Sequence, residues 1–462
     1  MEKIIIQHSG DLHSHLDNWC KVRRFLQEGK KAENEQTTVV TVDLGDFVDR
    51  WHPLTEATDA KQSIELMNEA GYDAVTIGNN EGIGNPKFVL DHLYEQANFD
   101  VLLGNLLDGE TLEPPTWRKD EKILVTNSGT KIGLFAFTAP FPLTYEPNGW
   151  KILNPEEMMN EWVERIRPKV DVLILMSHLG VNADKRIAQK FPEIDVILGS
   201  HTHHLFENGK LENGVLLTGA GKFGQYVGKV TLLLEEKKIV SKEAHTYKTA
   251  EMREIATDEK EILGYMNKGH ALLQEEKIAN LPFDLTNQAE DNFPLTQMTL
   301  NAVANFANTE ASILNTGLLQ TDLPKGIVNM DELHRTLPHP MHILRVTLDG
   351  ENFRRMIYEM EKNRSFLRPF AVVGMGFRGK IFGELVYQNI FFDKETREVY
   401  YCGKKVENDQ NYTFATVDHL MFLPFFPTIE LYSEHEFLFP EFIRTVLAKH
   451  LSKTFPLEEN AV

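Results

Sequence analysis

Cysteine is almost missing from this chain of 462 residues: only Cys20 and Cys402 occur, far apart in the sequence. That excludes a disulfide-stapled secreted module and any all-thiolate zinc or iron–sulfur site, so a metal, if bound, must sit on His, Asp and Asn. Basic charge is also in deficit. The 48 Lys and Arg against 68 Asp and Glu leave a net charge of −20, which argues against a nucleic-acid partner because neutralising many phosphates takes clustered cations. Long apolar runs are lacking too. The best, VDVLILM at 170–176, contains Asp171 and falls far short of the ~20 residues of a membrane span. The opening MEKIIIQHSGDLHSH has no apolar region of the ~7–15 residues a signal peptide needs. The expectation is a soluble protein of a reducing cytoplasm, with no membrane partner.

What is present is a globular composition, 42% hydrophobic and 25% charged, long enough at roughly 150 residues per domain for two or three domains. Up to about residue 205, short β-branched runs alternate with segments of helical period, which reads as βαβα. KIIIQH, TTVVTVDL, DAVTIG, DVLLGN, KIGLFAF, VDVLILM and DVILG are the predicted strands. TEATDAKQSIELMNEAG puts Ile64, Met67 and Ala70 on one helical face. Asn154, Pro155 and Glu156 look like the cap and first turn of another helix. VLLTGAG, YVGKVTLLLEE and KIVSKEAHTY then close a first domain as antiparallel strands, and TNSGTK at 126–131 suits a hairpin turn. A polar helical segment follows, read as a linker helix at 251–279. A second α/β segment runs from 280 to 462. No internal repeat or low-complexity tract is visible.

Metal-capable residues lie just past the carboxyl ends of the predicted strands: Asp11 and His13, Asp46, Asn79 and Asn80, His178, then His201 and His203. Loops at that edge of an open α/β sheet converge on one crevice. Oxygen and imidazole donors suit Zn, Mn or Fe, and seven donors exceed what one tetrahedral ion needs. A carboxylate able to bridge, here Asp46, would let two ions sit roughly 3.5–4 Å apart and clamp both oxygens of a phosphoryl transfer.

GDLHSHL, LGDFVDR, IGNNEG, MSHLG and GSHTHH occur in the order of the blocks that mark the calcineurin-like metallophosphoesterases. The chain resembles in particular the two-domain 5′-nucleotidase family, more specifically in 1–245 than in 280–462. The resemblance implies an α/β protein, with an N-terminal metallophosphoesterase β-sandwich flanked by helices at 1–250 and a C-terminal α/β 5′-nucleotidase-like substrate domain at 280–462. It implies that Asp11, His13, Asp46 and His203 hold one divalent ion and that Asp46, Asn79, His178 and His201 hold the other. Hydrolysis of nucleotides or related small phosphates follows, with water activated at the metal pair attacking phosphorus in line. His15, Asp49, Glu81 and His204 are candidates to support those ligands.

The chain departs from the family pattern at instructive places. Family members carry a histidine after the metal-binding asparagine; here that position is Asn80, and the partner carboxylate three positions on is Ile83. An amide cannot titrate, which removes the factor of roughly 10²–10⁴ that general acid catalysis supplies. Phosphoanhydrides and aryl phosphates, whose leaving groups depart without a proton, are then the expected substrates. His52 or His204 taking the acid's place is the competing expectation. In the second domain the family segment that ILNTGLLQ resembles ends in arginine, and here that position is Gln320. Asn80, Asn315, Phe377 and Arg378 are the candidate substrate contacts, with Phe422 a further possible platform. Two rival readings stand beside the phosphohydrolase. A barrel hydrolase would explain His13 and His15 but not the Asp46 and Asn79 blocks, and a nucleotide-binding or sensing protein with weakened turnover would explain Asn80, Ile83 and Gln320.

Overall fold

Strand Glu2–Ser9 pairs in parallel with Thr37–Asp43, Ile5 opposite Val39, and antiparallel with Tyr226–Glu235, Ile5 opposite Thr231. It thereby centres a six-stranded mixed sheet flanked by Lys238–Lys248 on one side and by Ala74–Val75 and Asp100–Val101 on the other. A second six-stranded sheet has Val172–His178 between Lys131–Thr138 and Val196–Gly199. The computed structural model describes residues 1–289, 292–374 and 376–457; the end of the closing acidic run LEEN, from 458, lies outside the described residues. Two compact units result, Met1–Gly269 and His270–Val462.

The alternation of the first strand explains the sandwich. Ile4 and Ile6 point between the sheets and meet Val40, Val42, Leu134, Ile174 and Leu198 in one buried cluster. Gln7, the residue after Ile6, faces a helix, donating through Nε2 to the Leu26 carbonyl at 3.0 Å. Helices Trp19–Lys30 and Lys61–Ala70 cover the outside of the first sheet, and Pro155–Ile166 and Val181–Lys190 that of the second. Asn154 caps helix Pro155–Ile166, its side chain accepting from the Glu156 amide at 3.1 Å. The 126–131 hairpin forms as well, the Gly129 amide donating to the Thr126 carbonyl at 2.9 Å.

Two expected elements come out differently. DVLLGN contributes only Asp100–Val101 to the sheet: the Leu102 amide still donates to the Val75 carbonyl, but the Leu103 amide donates to the Lys119 carbonyl, outside any strand, and Gly104 packs under Phe137 and Trp162. TEATDAKQSIELMNEAG is two helices, Pro53–Ala57 and Lys61–Ala70, broken where Asp59 and Ala60 take positive φ.

Helix Asp258–Glu275 crosses the division between the units. In the second unit a five-stranded sheet runs Leu385–Gln388, Ala311–Asn315, Asn411–Val417, His342–Asp349, Glu434–Phe442. Helices Pro294–Ala307, Gly350–Leu367 and Ile443–Thr454 accompany it. Among the described residues, no helix is long and apolar enough to cross a membrane.

Candidate metal centre

Five strand ends deliver side chains to one place. Asp11 and His13 follow Glu2–Ser9, Asp46 follows Thr37–Asp43, Asn79 follows Ala74–Val75, His178 ends Val172–His178, and His201 and His203 follow Val196–Gly199. Two trios result, Asp11 with His13 and His203, and Asp46 with His178 and His201; within each trio the ligand atoms lie within 4.8 Å of one another. His13 Nε2 and His203 Nε2 face each other at 3.1 Å, with Asp11 Oδ1 4.0 Å and 3.8 Å away. Those spacings suit donors about 2.0–2.2 Å from a common cation. Asp46 Oδ2 lies 3.7 Å from His13 Nε2 and 3.5 Å from His178 Nε2, so a single carboxylate oxygen borders both trios.

Two buried atoms at this site have no hydrogen-bond partner among the described residues: His178 Nε2 and Asn79 Oδ1. A buried polar atom left unpaired costs about 1–3 kcal/mol, and here both are lone-pair donors of the kind a hard or borderline cation takes. His178 Nδ1 donates to the Leu44 carbonyl at 2.7 Å, which turns Nε2 toward the centre, where a cation would displace the proton that Asp46 otherwise stabilises there. The donor set therefore fits divalent cations.

The motif glycines have a steric reason. A Cβ on Gly45 would come within 2.3 Å of the Gly78 amide nitrogen, and one on Gly78 within 2.1 Å of Asp46 Oδ1. The Gly45–Asp46 and Gly78–Asn79 backbones thus touch directly. Glu81 holds this contact: its Oε2 accepts from the Asp46 and Gly78 amides at 2.9 and 2.7 Å, and its Oε1 from the Val48 amide at 3.0 Å. Asp46 Oδ1 in turn accepts from the Asn80 amide at 2.7 Å.

Electrostatics follow from burial and proximity. Burial opposes ionisation of Asp46, yet His178 and His13 beside it hold its carboxyl well below the usual carboxylate range. Burial would likewise depress His178, but Asp46 outweighs it and pushes the imidazole up to about 10. Burial, with His178 next to it, lowers His201 to about 4; burial and His13 do the same to His203. Two imidazoles ready to offer lone pairs thus face a carboxylate that stays charged.

The supporting residues separate clearly. Asp49 Oδ2 stands 3.5 Å from His13 Nδ1. His15 stacks on Phe223 and Trp51 at 3.8 and 4.8 Å between ring centroids. His204 turns away, its Nε2 on the Thr218 carbonyl and its Nδ1 on Thr202 Oγ1. Buried His52 accepts from the Leu54 amide at 3.2 Å, capping a helix. Asn80 Nδ2 contacts His13 Nδ1 at 2.9 Å and the Val48 carbonyl at 3.0 Å, while its Oδ1 accepts from Asn79 at 3.1 Å. Ile83 packs against the core beneath the first sheet's helices.

In the second unit Asn315 is buried, donating to the Phe382 carbonyl at 2.6 Å and contacting His419 Nε2 at 3.0 Å. Phe377 is only 4% exposed and stacks with His339 and His419 at 5.1 and 5.6 Å. Arg378 donates through its amide to His339 Nδ1 and through Nη1 to the Phe377 carbonyl. Gln320 is exposed and folds back on the Gly317 carbonyl. Phe422 is 40% exposed.

Sequence reasoning missed two features. Five of the seven candidate ligands, Asp11, His13, Asp46, His201 and His203, have positive φ, a costly backbone state that persists where surrounding structure enforces it. Ser200 was also missed: its Oγ donates to Asp11 Oδ2 at 2.5 Å. Its place immediately before His-x-His was the available signal.

Residues 5–205 match the calcineurin-like phosphoesterase family, and residues 273–422 the C-terminal domain of 5′-nucleotidases. The chain is 32% identical over 469 residues to the uncharacterized metallophosphoesterase YunD of Bacillus subtilis (strain 168), covering 98% of this chain and 100% of YunD. The chain belongs to the calcineurin-like metallophosphoesterases. It is a metal-dependent phosphoesterase with the two-domain α/β organisation of the 5′-nucleotidase family. Solved structures sharing the fold of this metallophosphoesterase include the Haemophilus influenzae NAD nucleotidase, with TM-score 0.61 and 16% identity over 98% of this chain and 96% of that one. The 5′-nucleotidase precursor of Thermus thermophilus superposes with TM-score 0.58 and 16% identity over 99% and 97%.

Proposed function

We propose that this metallophosphoesterase is a dinuclear-metal phosphohydrolase acting on nucleotides or related small phosphate esters and anhydrides. The observation that carries the reading is Asp46 Oδ2, within 3.7 Å of His13 Nε2 and 3.5 Å of His178 Nε2, where one oxygen can serve two cations. Asp11, His13, Asp46 and His203 would hold one divalent ion and Asp46, Asn79, His178 and His201 the other. When bound, such ions supply Lewis acidity toward the phosphoryl oxygens and lower the pKa of water. Asp46 contributes the shared carboxylate, His178 a tautomer set by Leu44, and Glu81 the rigid seating of the Asp46 loop. Asn80 holds no transferable proton and is occupied by His13, Val48 and Asn79, so the leaving oxygen receives none from it. That favours anhydrides and aryl phosphates over alkyl monoesters. Nucleotides as the substrate class gain support from the 5′-nucleotidase and NAD nucleotidase relatives. Free Cys20 and Cys402 support a reducing, cytoplasmic setting.

A second reading, a nucleotide-binding protein with weakened turnover, draws on Asn80 and on Gln320 where the family carries arginine. Phosphate release from ADP, AMP and 4-nitrophenyl phosphate by Mn²⁺-loaded protein, beside an Asp46→Ala control, separates the two. Turnover abolished in the control supports the hydrolase; tight nucleotide binding without release in the parent protein supports the alternative.

A further inference from the structure

The loop at 220–225 joins strand Val215–Gly219 to strand Tyr226–Glu235 and carries a lysine the metal centre does not account for. Its Phe223 adopts φ +61, a left-handed state that costs an L-residue energy. Two bonds hold it there, the Phe223 amide donating to the Asp11 carbonyl at 2.7 Å and Asn18 Nδ2 to the Phe223 carbonyl at 2.9 Å. The ring is thereby presented to the ligands, its centroid 5.8 Å from that of His13 and 6.4 Å from that of His203. Lys222 Nζ lies 4.5 Å over the same ring.

The distribution of charge singles Lys222 out. Asp11 is engaged by Ser200 and the His201 amide, Asp46 by the Asn80 amide and two imidazoles, and Asp49 by His13. Arg50, next to Asp49 in the chain, is committed to Glu56 and Asp59. Among the described residues Lys222 forms no ion pair, although the chain carries a net charge of −20. An ammonium on a flexible stem next to a cation centre is a point-charge binder of phosphate, and the aromatic face under it keeps it at the rim without neutralising it.

We propose that Lys222 is a substrate-binding residue that grips the phosphate which is not attacked, the anionic leaving portion of a nucleoside or sugar diphosphate. This rests on the phosphohydrolase reading and narrows it to phosphoanhydrides.

The test compares Lys222→Gln and Lys222→Arg with the parent full-length protein, all loaded with Mn²⁺ and matched for metal content. For Lys222→Gln the KM for ADP should rise at least tenfold more than the KM for 4-nitrophenyl phosphate, with kcat for ADP changing far less, and Lys222→Arg should restore most of the KM. Equal changes on both substrates, or no change on ADP, overturn the assignment. Parent protein that releases phosphate from neither compound counts against the hydrolase reading, and calorimetric titration with methylenediphosphonate then decides. Binding by the parent that Lys222→Gln weakens at least tenfold upholds the role of Lys222; equal binding, or none by the parent, refutes it.

Discussion

Glu81 offers a quantitative test of how the metal loop is held. It is 2% exposed, and its two oxygens take three backbone amides, those of Asp46, Gly78 and Val48. Glu81→Ala strands all three in the interior. At about 1–3 kcal/mol for each buried donor left unpaired, with some relief from water entering the space, the loss should be about 3–6 kcal/mol. Glu81→Gln is gentler. With its oxygen in the place of Oε2 it keeps the Asp46 and Gly78 bonds and turns an NH₂ toward the Val48 amide, so the loss should be about 1–3 kcal/mol. A unit of this size loses roughly 2–4 °C of Tm per kcal/mol. Calorimetry on metal-free protein should therefore show a drop of about 5 °C for Glu81→Gln and about 10 °C or more for Glu81→Ala. Metal stoichiometry measured in parallel should fall in Glu81→Ala, because Asp46 is then no longer seated. Both variants unfolding within about 2 °C of the parent would refute the claim that this carboxylate pins the loop, and equal damage from both would mean that its charge matters more than its acceptor count.

Three further outcomes are expected. Metal analysis should separate the trios: His13→Ala and His203→Ala each lose one ion, His178→Ala and His201→Ala each lose the other, and Asp46→Ala loses both; loss of both ions in every variant would mean the trios are not independent. Asn80→His, which places a titratable group where the amide now contacts His13, should raise turnover of AMP by about tenfold or more relative to ADP if that position lacks only an acid, and an unchanged ratio refutes this. Buried Asp43, pushed up to about 7 by desolvation against the bonds from Ser9 and Gly45, keeps its proton when folded while the unfolded chain loses it above the ordinary value of 3.8; stability should thus fall as pH rises from about 4 to about 7, by up to about 4 kcal/mol. Asp43→Asn, a neutral isostere for the Ser9 and Gly45 contacts, should remove that part of the slope in unfolding measured at both pH values, and an identical slope would show that Asp43 does not carry it.

Much of this centre was legible because ligand chemistry and strand ends leave local marks. Ile4 and Ile6 against Gln7, or the all-apolar VLILM, announce strands by period and branching, and a polar residue directly after such a run falls at the sheet edge whatever the rest of the fold does. The hairpin at Gly129 and the cap at Asn154 were readable for the same reason, since each is set within a few residues. The two misjudged elements depend on distant partners. Nothing within DVLLGN says that Phe137 and Trp162 will press on Gly104, and nothing in TEATDAKQ says that the Thr55 carbonyl will take the Ala60 amide and end a helix there. Phe377, a candidate platform that the residue type alone makes more often core, has His339 and His419 stacked upon it from some 40 residues away on either side, partners that the neighbouring glycines and arginine do not announce.

The left-handed ligands connect these levels. A side chain at positive φ leaves the strand direction abruptly, and Asp11, His13, Asp46, His201 and His203 do so at the ends of three strands drawn from two sheets. Aspartate and histidine enter that region more readily than branched residues, yet five such residues at one place still need surrounding structure to hold them there. For Asp11, His13 and His201 it is supplied by the Asp11 amide donating to the Gly45 carbonyl, the His13 amide to the Asp46 carbonyl, and the His201 amide to Asp11. The Asp11, His13, Asp46 and His201 loops are thus fastened to one another. A change that frees any one loop should loosen donors in both trios, which makes the backbone between the sheets, as much as the side chains, the element that sets how a cation is held.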